Sequence, residues 1–428
     1  MKIAINAQID PGTGVGGVES VVIALVKAFG TLCDGDEEYV IITNAKHPDW
    51  LNSYLGPNQR IVSRPCPKRS AGGRRNLVRS VRKEMGRFFR RLTAPKKTFP
   101  TPKISDGFFE SLGCDIIHFP YQHFEICAIP SIYNPHDLQH CHFPQFFTPE
   151  NWLKREVEYR AGCEFSHTVV ASSQWVKDDI VRHYGINPSR VVVIPLAPPI
   201  QAYAEPCPKD AAATQKKYSL PENFAFYPAM PWEHKNHLRL FEAIALLRRT
   251  KGLHLNLICT GKTGPYWPKI EKKIEELQLQ DQVRFLGLVS PQELQCIYRA
   301  SKFVVVPTLF EATSGPVYEA WHEDVPVACS TVTSLPEQVK DAALLFDPYN
   351  IPEIATALET MDSDAALRAQ LKWKGTQRLK DFSWERSARA YRALYRKAGH
   401  QAMTEEDRML LSWDWLRHSE VQLELACR

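Results

Sequence analysis

Residues 303–328 leave this chain few choices of fold. Two short apolar runs, residues 303–306 and 325–328, have the length and composition of buried strands. The polar loop between them ends in Thr313-Ser314-Gly315-Pro316, where a hydroxyl side chain can cap a helix and a proline suits its first turn. The pattern therefore predicts a strand, a tight loop, a short helix and another strand, which is the repeating unit of a parallel α/β sheet.

Two carboxylates flank this turn. Glu311 lies in the loop, and Glu319 follows eight positions later inside the predicted helix. The N-terminus of such a helix presents N–H groups beyond the carboxyl end of the strand, and these groups attract anions. Carboxylates nearby can accept hydrogen bonds from hydroxyl groups. The stretch thus predicts a site for a ligand with both phosphate and polyol groups, such as a nucleotide sugar, although the glutamates alone would also suit a solvated surface helix.

Strand and helix patterns alternate through most of the 428 residues, first from Lys2 and again from Phe224. A chain of this length suits two domains, and 44% hydrophobic with 24% charged residues is usual for globular proteins. Residues 195–208 are rich in proline and lack periodicity, so we expect them to link the domains. The tail carries Trp413 and Trp415 and is apolar enough to pack on the first domain.

The glutamate pair and its neighbours resemble the donor site of retaining glycosyltransferases with the GT-B fold, in particular the mannosyltransferase-like group of family four. Further segments match in the family's order: residues 285–287 and Pro307 precede the glutamate pair, and residues 334–337 and 343–348 come after it. The resemblance implies an α/β protein in which two Rossmann-like, doubly wound domains face a cleft. Residues 1–204 would form the N-terminal acceptor domain, joined by C-terminal helices in residues 384–428, and residues 205–383 would form the nucleotide-sugar donor domain.

The resemblance also implies a reaction. The chain would be a hexosyltransferase that moves a hexose, with mannose favoured, from a nucleotide sugar such as GDP-mannose to a glycan or lipid-linked glycan in polysaccharide biosynthesis. Glu319 would hold the ribose hydroxyls. Glu311 and the N–H groups of Ser314 and Gly315 would orient the sugar and stabilise charge as the anomeric carbon becomes oxocarbenium-like.

Two other classes of function stay open at this point. Met230 and the unusual run of residues 312–314 also suit a nucleotide-sugar-binding protein that has lost turnover. An NAD(P)-dependent sugar-modifying enzyme is the second alternative, because three glycines between residues 12 and 17 satisfy G-x-G-x-x-G. That loop begins several residues beyond its strand, and the next strand ends in Asn44 rather than in a ribose-binding acid. In the family, the backbone of Gly16 and Gly17 would instead approach the donor diphosphate.

A second group of candidate residues follows the strand that begins at Phe224. The family places an arginine there and, about five residues later, a lysine that holds the diphosphate. Lys235 matches the lysine, whereas Met230 stands in the arginine's position, so His234 or His237 would have to replace that cation. No Asp-x-Asp motif with a flanking strand occurs, and we expect neither a metal nor another cofactor.

Two histidines follow apolar runs in the first half of the chain. His118 lies at the end of one run, and His136 follows the next in Asn134-Pro135-His136-Asp137. Ligand sites of open α/β sheets gather at such strand ends. By resemblance His136 approaches the donor sugar and is the catalytic candidate, with His118 as the second choice. A purely structural role is the alternative for either histidine.

Residues 68–97 have the strongest charge asymmetry, with Glu84 as the single acid among many lysines and arginines. Apolar residues recur there at three- and four-residue steps, which predicts a basic amphipathic helix over residues 74–92. Such a helix can bind an anionic membrane surface, or it can pack on the sheet with its arginines solvated. Because no recognition motif accompanies it, we do not expect nucleic acid as a partner.

The sequence gives no sign of secretion or of a membrane span. It opens directly on an apolar strand, it has no run of about eighteen apolar residues, and its 11 cysteines include no Cys-x-x-Cys pair. We therefore expect reduced thiols and a cytoplasmic protein that can bind the inner face of the membrane through residues 74–92.

Overall fold

The computed structural model describes residues 1–12, 17–65, 100–198 and 205–415. Within these ranges the chain forms two parallel sheets with helices on both faces, which confirms the predicted α/β class. The first sheet has seven strands in the order β3-β2-β1-β4-β5-β6-β7. Its strands are β1 (Lys2–Asn6), β2 (Glu38–Asn44), β3 (Gln59–Arg64), β4 (Ile116–Phe119), β5 (Ser131–Tyr133), β6 (Thr168–Ala171) and β7 (Val191–Val193).

The second sheet has six strands in the order β10-β9-β8-β11-β12-β13. Its strands are β8 (Ala225–Pro228), β9 (Leu257–Thr260), β10 (Val283–Phe285), β11 (Phe303–Val306), β12 (Val327–Ser330) and β13 (Leu344–Phe346). All pairings in both sheets are parallel; Val304, for example, pairs with Phe226 on one side and Val327 on the other.

Helices connect the strands and cover both sheets. The helices associated with the first sheet are α1 (Gly17–Thr31), α2 (Phe108–Ser111), α3 (Gln139–His142), α4 (Pro149–Phe165) and α5 (Gln174–Tyr184). Those of the second are α6 (Pro208–Tyr218), α7 (His237–Lys251), α8 (Trp267–Glu276), α9 (Pro291–Ala300), α10 (Gly315–His322), α11 (Leu335–Val339), α12 (Ile351–Ser363) and α13 (Ala365–Leu379). The chain continues with α14 (Trp384–Ala398) and α15 (Glu405–Ser412).

The first sheet has a hydrophobic cluster on each face. Successive side chains of a strand point to opposite faces. Ile3 and Ile5 of β1 accordingly belong to the cluster with α1 and α14, whereas Ala4 belongs to the cluster with Tyr159 and Cys163 of α4. This double burial explains why the strands of the sequence are nearly continuous apolar runs rather than alternating ones.

Each sheet has one point where the strand order reverses, between β1 and β4 in the first sheet and between β8 and β11 in the second. Ligands of open α/β sheets bind outside the carboxyl ends of the strands at such points. The segments that follow β5, β8 and β11 carry His136, Lys235 and Glu311, and α1 begins at Gly17 after β1. The predicted site residues therefore lie where this fold places ligands.

Helix α14 packs on the first domain although it follows the second in sequence. Trp384 and Tyr395 are buried in the cluster that contains α1. Arg392 forms an ion pair with Asp34 on the loop after α1. Leu410 of α15 is buried in the same cluster. The helices α14 and α15 thus attach residues 384–412 to the first sheet.

The structure adds an element that the sequence analysis did not predict. The edge strand β3 carries Arg60 and Arg64 and is partly exposed, so it lacks the apolar run that marks the other strands. The proline-rich linker predicted for residues 195–208 ends before Pro208, where α6 begins.

The predicted basic helix, residues 74–92, lies outside the described residues. Among the described helices, none combines the length and the hydropathy that a membrane span requires.

Candidate functional site

A cavity of about 300 Å³ lies between the two sheets at their switch points. The first domain contributes Gly17, His136 and Arg155 to its wall, and the second contributes Lys235 and Glu311. The other lining residues are Val18, Val21, Gln122, Asp137, Gln139, Ser172, Leu196, Ala197, Trp232, His234, Phe310, Ala312, Thr313, Gly315 and Tyr318. The structure therefore brings residues from both halves of the chain to one cleft.

Lys235 and Glu311 touch inside this cavity. The Lys235 ammonium donates a hydrogen bond to Glu311 Oε1, and the two side chains are 15% and 11% exposed. Burial raises the pKa of Glu311, and the positive charge of Lys235 opposes that rise. Lys235 and Glu311 thus form a partly desolvated ion pair in the wall of the cavity.

The backbone around Glu311 is fixed by side chains that follow β12. The Glu311 N–H donates to Thr333 Oγ1 at 3.0 Å, and Ser334 Oγ donates to the carbonyl of Glu311 at 2.8 Å. Thr333 has φ 52°, a left-handed conformation that is uncommon for a β-branched residue. Strained backbone of this kind persists where the surrounding structure holds it, and here it positions the loop that carries Glu311.

The N-terminus of α10 faces the same cavity. Gly315, its first residue, lines the wall, and Ser314 occupies the N-cap position without a capping hydrogen bond from its side chain. We expected the Ser314 N–H to be available to a ligand, but it donates to Gln338 Oε1 at 2.8 Å. Gln338 Nε2 donates in turn to the Ser314 carbonyl at 2.9 Å. A ligand would therefore meet the N-terminal end of α10 at Gly315, while Ser314 is buried and held by Gln338.

Glu319 lies one helical turn farther from the cavity and is not among the residues that line it. Its Oε2 accepts a hydrogen bond from the hydroxyl of Tyr298 at 2.6 Å. Burial raises the pKa of Glu319, and the Tyr298 hydrogen bond acts in the opposite direction. Tyr298, which the sequence analysis did not single out, is thus the residue that orients this carboxylate.

His136 lines the cavity from the first domain. Its Nε2–H donates to the carbonyl of Pro120 at 2.9 Å, because a carbonyl can only accept, and this leaves Nδ1 as the acceptor nitrogen of the neutral ring. Burial lowers the pKa of His136. Its φ of 64° lies in the left-handed region, which is consistent with a backbone held in place for the position of its side chain.

His118 does not belong to the site, so our second choice for the catalytic histidine was wrong. The ring is fully buried, and its Nε2 and Nδ1 lie 2.7 Å from Asn134 Oδ1 and from the hydroxyl of Tyr395, respectively. Burial lowers the pKa of His118 to about 4. Both nitrogens are engaged with groups that attach α14 to the first sheet, which gives His118 a structural role.

Neither histidine near Lys235 supplies the positive charge that an arginine in the position of Met230 would carry. His237 is buried in the core, with its ring centroid 4.8 Å from that of Tyr227, and burial lowers its pKa to about 3. His234 lines the cavity, but burial lowers its pKa well below the usual value, so the ring is neutral near pH 7. Met230 Sδ accepts a hydrogen bond from the Lys262 N–H at 3.4 Å.

Arg155 of α4 is the cation that the sequence analysis missed. Its guanidinium donates to the hydroxyl of Tyr159 at 2.8 Å and lies 4.9 Å from the ring centroid of Phe147. Arg155 faces the cavity from the first domain, opposite the loop that carries Glu311. No local pattern distinguished it from the other charged residues of α4. Gly17 also lines the cavity, whereas Gly16 lies outside the described residues.

The two domains also touch directly beside the Glu311 loop. The hydroxyl of Thr313 donates to Ser172 Oγ at 3.1 Å. Glu337 at the start of α11 accepts hydrogen bonds from the N–H groups of Gln174 and Trp175, at 2.8 and 3.0 Å. A carboxylate of the second domain thus binds the N-terminus of α5 in the first, where backbone N–H groups lack helical partners.

Comparison with known families agrees with this architecture. The family described as glycosyltransferase family 4 matches residues 15–197, and the family described as glycosyl transferases group 1 matches residues 211–378. The first match covers the strands β2 to β7 and the second the strands β8 to β13. Each of the two sheets therefore corresponds to one of the two family regions.

Individual relatives are similar over most of the chain. O-antigen chain mannosyltransferase B of Escherichia coli is 29% identical over 267 residues, which is 60% of this chain and 70% of the relative. D-inositol 3-phosphate glycosyltransferase of Corynebacterium glutamicum (strain R) is 26% identical over 286 residues, or 64% of this chain and 68% of the relative.

A solved structure has the same fold. Alr3699/HepE from Anabaena, in complex with UDP and glucose, superposes with a TM-score of 0.66 at 17% identity and covers 93% of this chain and 100% of its own. The two family matches and the relatives confirm the resemblance noted in the sequence, and with it the expectation of an enzyme. The chain belongs to family four of the GT-B glycosyltransferases and is a hexosyltransferase.

Proposed function

We propose that the protein is a retaining hexosyltransferase that moves mannose from GDP-mannose to a glycan or lipid-linked glycan. The observation that carries this proposal is the Lys235–Glu311 pair, which lies in the interdomain cavity beside the first residue of α10. A cation and a helix N-terminus suit a diphosphate, and a carboxylate next to them suits the positive charge that develops on a transferred sugar. We also propose the domain division at residues 204/205 and 383/384.

In the proposed reaction each group has a separate task. The bond between the anomeric carbon and the diphosphate oxygen breaks, and the acceptor hydroxyl oxygen bonds to that carbon on the same face. The leaving phosphate oxygen takes the proton of the acceptor hydroxyl. Lys235 and the N–H of Gly315 stabilise the leaving diphosphate, Glu311 stabilises the oxocarbenium-like carbon, and His136 positions the sugar. Glu319 is partly exposed one helical turn beyond Gly315, where it would hold the ribose hydroxyls with its carboxylate oriented by Tyr298. The backbone of Gly16 and Gly17 approaches the diphosphate.

The reaction needs no metal in this proposal. Among the described residues that line the cavity, two have cationic side chains, Lys235 on the second domain and Arg155 on the first. Together with the N-terminus of α10 they supply the positive potential that a divalent cation provides in other transferases. Arg155 lies on the wall of the domain assigned to the acceptor, where a charge would favour an acidic or phosphorylated acceptor.

Mannose is favoured by the mannosyltransferase among the relatives, and a nucleotide donor by the solved relative that holds UDP and glucose. A second candidate keeps the nucleotide-sugar site but lacks turnover, and Met230 in the position of the family's arginine is the observation that favours it.

A donor panel tests these alternatives. Purified protein is incubated with GDP-mannose, UDP-glucose and ADP-glucose, with and without EDTA, and nucleotide release and thermal stabilisation are measured. Stabilisation and release that select GDP-mannose and persist in EDTA support the proposal. Stabilisation without release supports the inactive binding protein. Loss of release in EDTA that Mg²⁺ restores contradicts a metal-independent transfer step. NMR of the glycosylated product then reports whether the anomeric configuration of the donor is retained.

A further inference from the structure

A second cluster of chemistry-bearing side chains lies on the first domain, outside the transfer cavity. His142 Nε2 lies 2.8 and 2.9 Å from the two carboxylate oxygens of Asp179, and His183 Nδ1 lies 3.1 Å from Asp179 Oδ1. His142 ends α3, whereas Asp179 and His183 are four residues apart on α5. The three ligand atoms all lie within 4.8 Å of one another.

We propose that His142, Asp179 and His183 form a binding site for a divalent transition metal of the zinc class. Two imidazole nitrogens and one carboxylate oxygen are a donor set that Zn²⁺ accepts in proteins, with water in the fourth position. Tetrahedral bonds of 2.0–2.1 Å place neighbouring ligand atoms about 3.3 Å apart. The contacts of 2.8–3.1 Å between the Asp179 carboxylate and the two imidazole nitrogens need to open by only a few tenths of an ångström to reach that value.

Burial and charge at the cluster favour a cation. The side chain of Asp179 is 2% exposed, and within the described residues no lysine or arginine forms an ion pair with it. A buried carboxylate needs a positive partner or several hydrogen bonds. The side chains of His142 and His183 are 26% and 29% exposed, so an ion has access from solvent. Binding would replace the contacts of His142 Nε2 with the Asp179 carboxylate by direct coordination. It would also replace the hydrogen bond between His183 Nδ1 and the backbone carbonyl of Asp179.

A neighbouring cluster is a weaker candidate and provides a comparison. His140, Cys141 and Glu156 also bring three donor atoms together. Arg160 already forms an ion pair with Glu156, so the carboxylate of this cluster has an arginine as its cationic partner. The described ion pairs of Asp179 are with the two histidines instead. This difference favours Asp179 as the carboxylate ligand of the proposed site.

The proposed metal would act on the fold rather than on the transferred sugar. None of its three proposed ligands is among the described residues that line the cavity. The ring centroid of His142 lies 5.3 Å from that of Phe310, the residue before Glu311, and 5.6 Å from that of Trp175. Coordination would hold α3 against α5 at the place where Phe310 of the second domain packs.

Zinc and cobalt titrations test the site in the full chain. Protein stripped of metal with a chelator is titrated with Zn²⁺ by calorimetry and with Co²⁺ by visible spectroscopy, and melting is followed with and without Zn²⁺. We expect one tight site, Co²⁺ bands typical of tetrahedral coordination and a higher Tm with zinc. His183→Ala and His142→Gln should each lower zinc affinity by about 100-fold or more, because each removes a ligand.

Two control variants make the outcome specific. His254→Ala removes an exposed histidine of the second domain, and Cys141→Ser removes the thiol of the neighbouring cluster. Both should bind Zn²⁺ as the unsubstituted protein does. Loss of binding in Cys141→Ser with retention in His183→Ala would place the metal in the other cluster, and a calorimetric titration without binding in the unsubstituted protein would overturn the site. Because these readouts involve no sugar donor, they are independent of the proposed transfer activity.

Discussion

The ammonium group of Lys235 lies against the carboxylate of Glu311, and this contact joins the two charges expected to act on opposite ends of the bond that breaks. One belongs to the short helical turn after β8 and the other to the loop after β11. Their burial makes each charge depend on the other, because an unpaired ion in this place would lose its compensation. The proposed diphosphate and sugar subsites are therefore coupled through a single ion pair.

This coupling predicts non-additive substitutions. Lys235→Ala should raise the donor KM roughly tenfold or more, and Glu311→Gln should lower kcat by ~100-fold or more. The double variant should lose less than the product of the two effects, because either single change already breaks the pair. Steady-state kinetics of the four proteins measure this, with Lys216→Ala on the exposed face of α6 as the control. Strictly multiplicative losses would show that the two groups act separately.

Glu319 should favour donor binding and, in its ionised form, lower the stability of the folded protein. Its pKa is raised by burial, so the folded protein loses stability as pH rises from the usual glutamate range, about 4.3, through the raised value. Glu319→Gln cannot ionise and escapes that loss. We expect a higher Tm than the unsubstituted protein at neutral pH, a difference that disappears near pH 4, and a donor KM raised roughly tenfold.

Melting curves between pH 4 and 8 and donor kinetics check this expectation, with Glu222→Gln as an exposed control. An unchanged KM with a collapsed kcat would move Glu319 from ribose binding to chemistry. A Tm difference that grows on acidification would contradict the direction of the pKa shift.

The two histidines of the first domain should separate activity from stability. His136→Ala should lower kcat by ~100-fold or more at similar donor affinity, with little change in unfolding. His118→Ala should instead lower the free energy of unfolding by about 2–4 kcal/mol, because it leaves a cavity and unpaired hydrogen-bonding groups under α14. Urea unfolding and kcat measured on both variants distinguish the roles. Near-normal turnover in His136→Ala would remove it from the mechanism.

Much of the fold was accessible from the sequence because parallel strands covered on both faces are apolar throughout. The run from Phe303 to Val306 was predicted with its observed bounds as β11. The edge strand β3 has one partner and remains partly exposed, so Arg60 and Arg64 interrupt any apolar signal. Local patterns therefore predicted the buried strands and missed this partly exposed edge strand.

The site was predicted less completely because the hydrogen-bond partners of its residues are distant in sequence. The glutamate spacing marked Glu311 and Glu319, but no local pattern pairs Tyr298 with Glu319 or Gln338 with Ser314. His118 follows a strand end as His136 does, yet its burial depends on α14, more than 250 residues later, with a separation of 277 residues to Tyr395. Tertiary contacts, rather than the motif, decide which histidine reaches the cavity.

The basic segment predicts how the enzyme meets its acceptor. Five of the seven arginines in residues 74–92 are predicted to lie beside the apolar stripe, namely Arg79, Arg82, Arg87, Arg90 and Arg91. Each cation near an anionic surface contributes about 1 kcal/mol, and salt screens that attraction. We expect cosedimentation with anionic but not with neutral vesicles, weaker at high salt and lost when the five arginines become glutamine. Protein that stays in the supernatant with anionic vesicles at low salt would favour a soluble acceptor.

The contact between Glu337 and α5 should control how the two domains are held together. Its carboxylate accepts from two N–H groups at the start of α5, and the neighbouring hydroxyls of Ser172 and Thr313 are bonded across the same interface. Glu337→Ala removes a cap from a helix in the other domain, which costs about 1–2 kcal/mol where the cap belongs to the helix itself. We expect the domains to separate more often, because fewer bonds then oppose opening.

Small-angle scattering should show a larger radius of gyration for Glu337→Ala, and kcat/KM should fall because the Glu311 loop loses its fixed distance from His136. Glu337→Gln keeps one acceptor oxygen for the helix N-terminus and should lie between the two proteins. Glu275→Ala, an exposed glutamate of α8, should change neither measurement. An unchanged radius together with a lower Tm would show that Glu337 stabilises α5 without holding the domains closed.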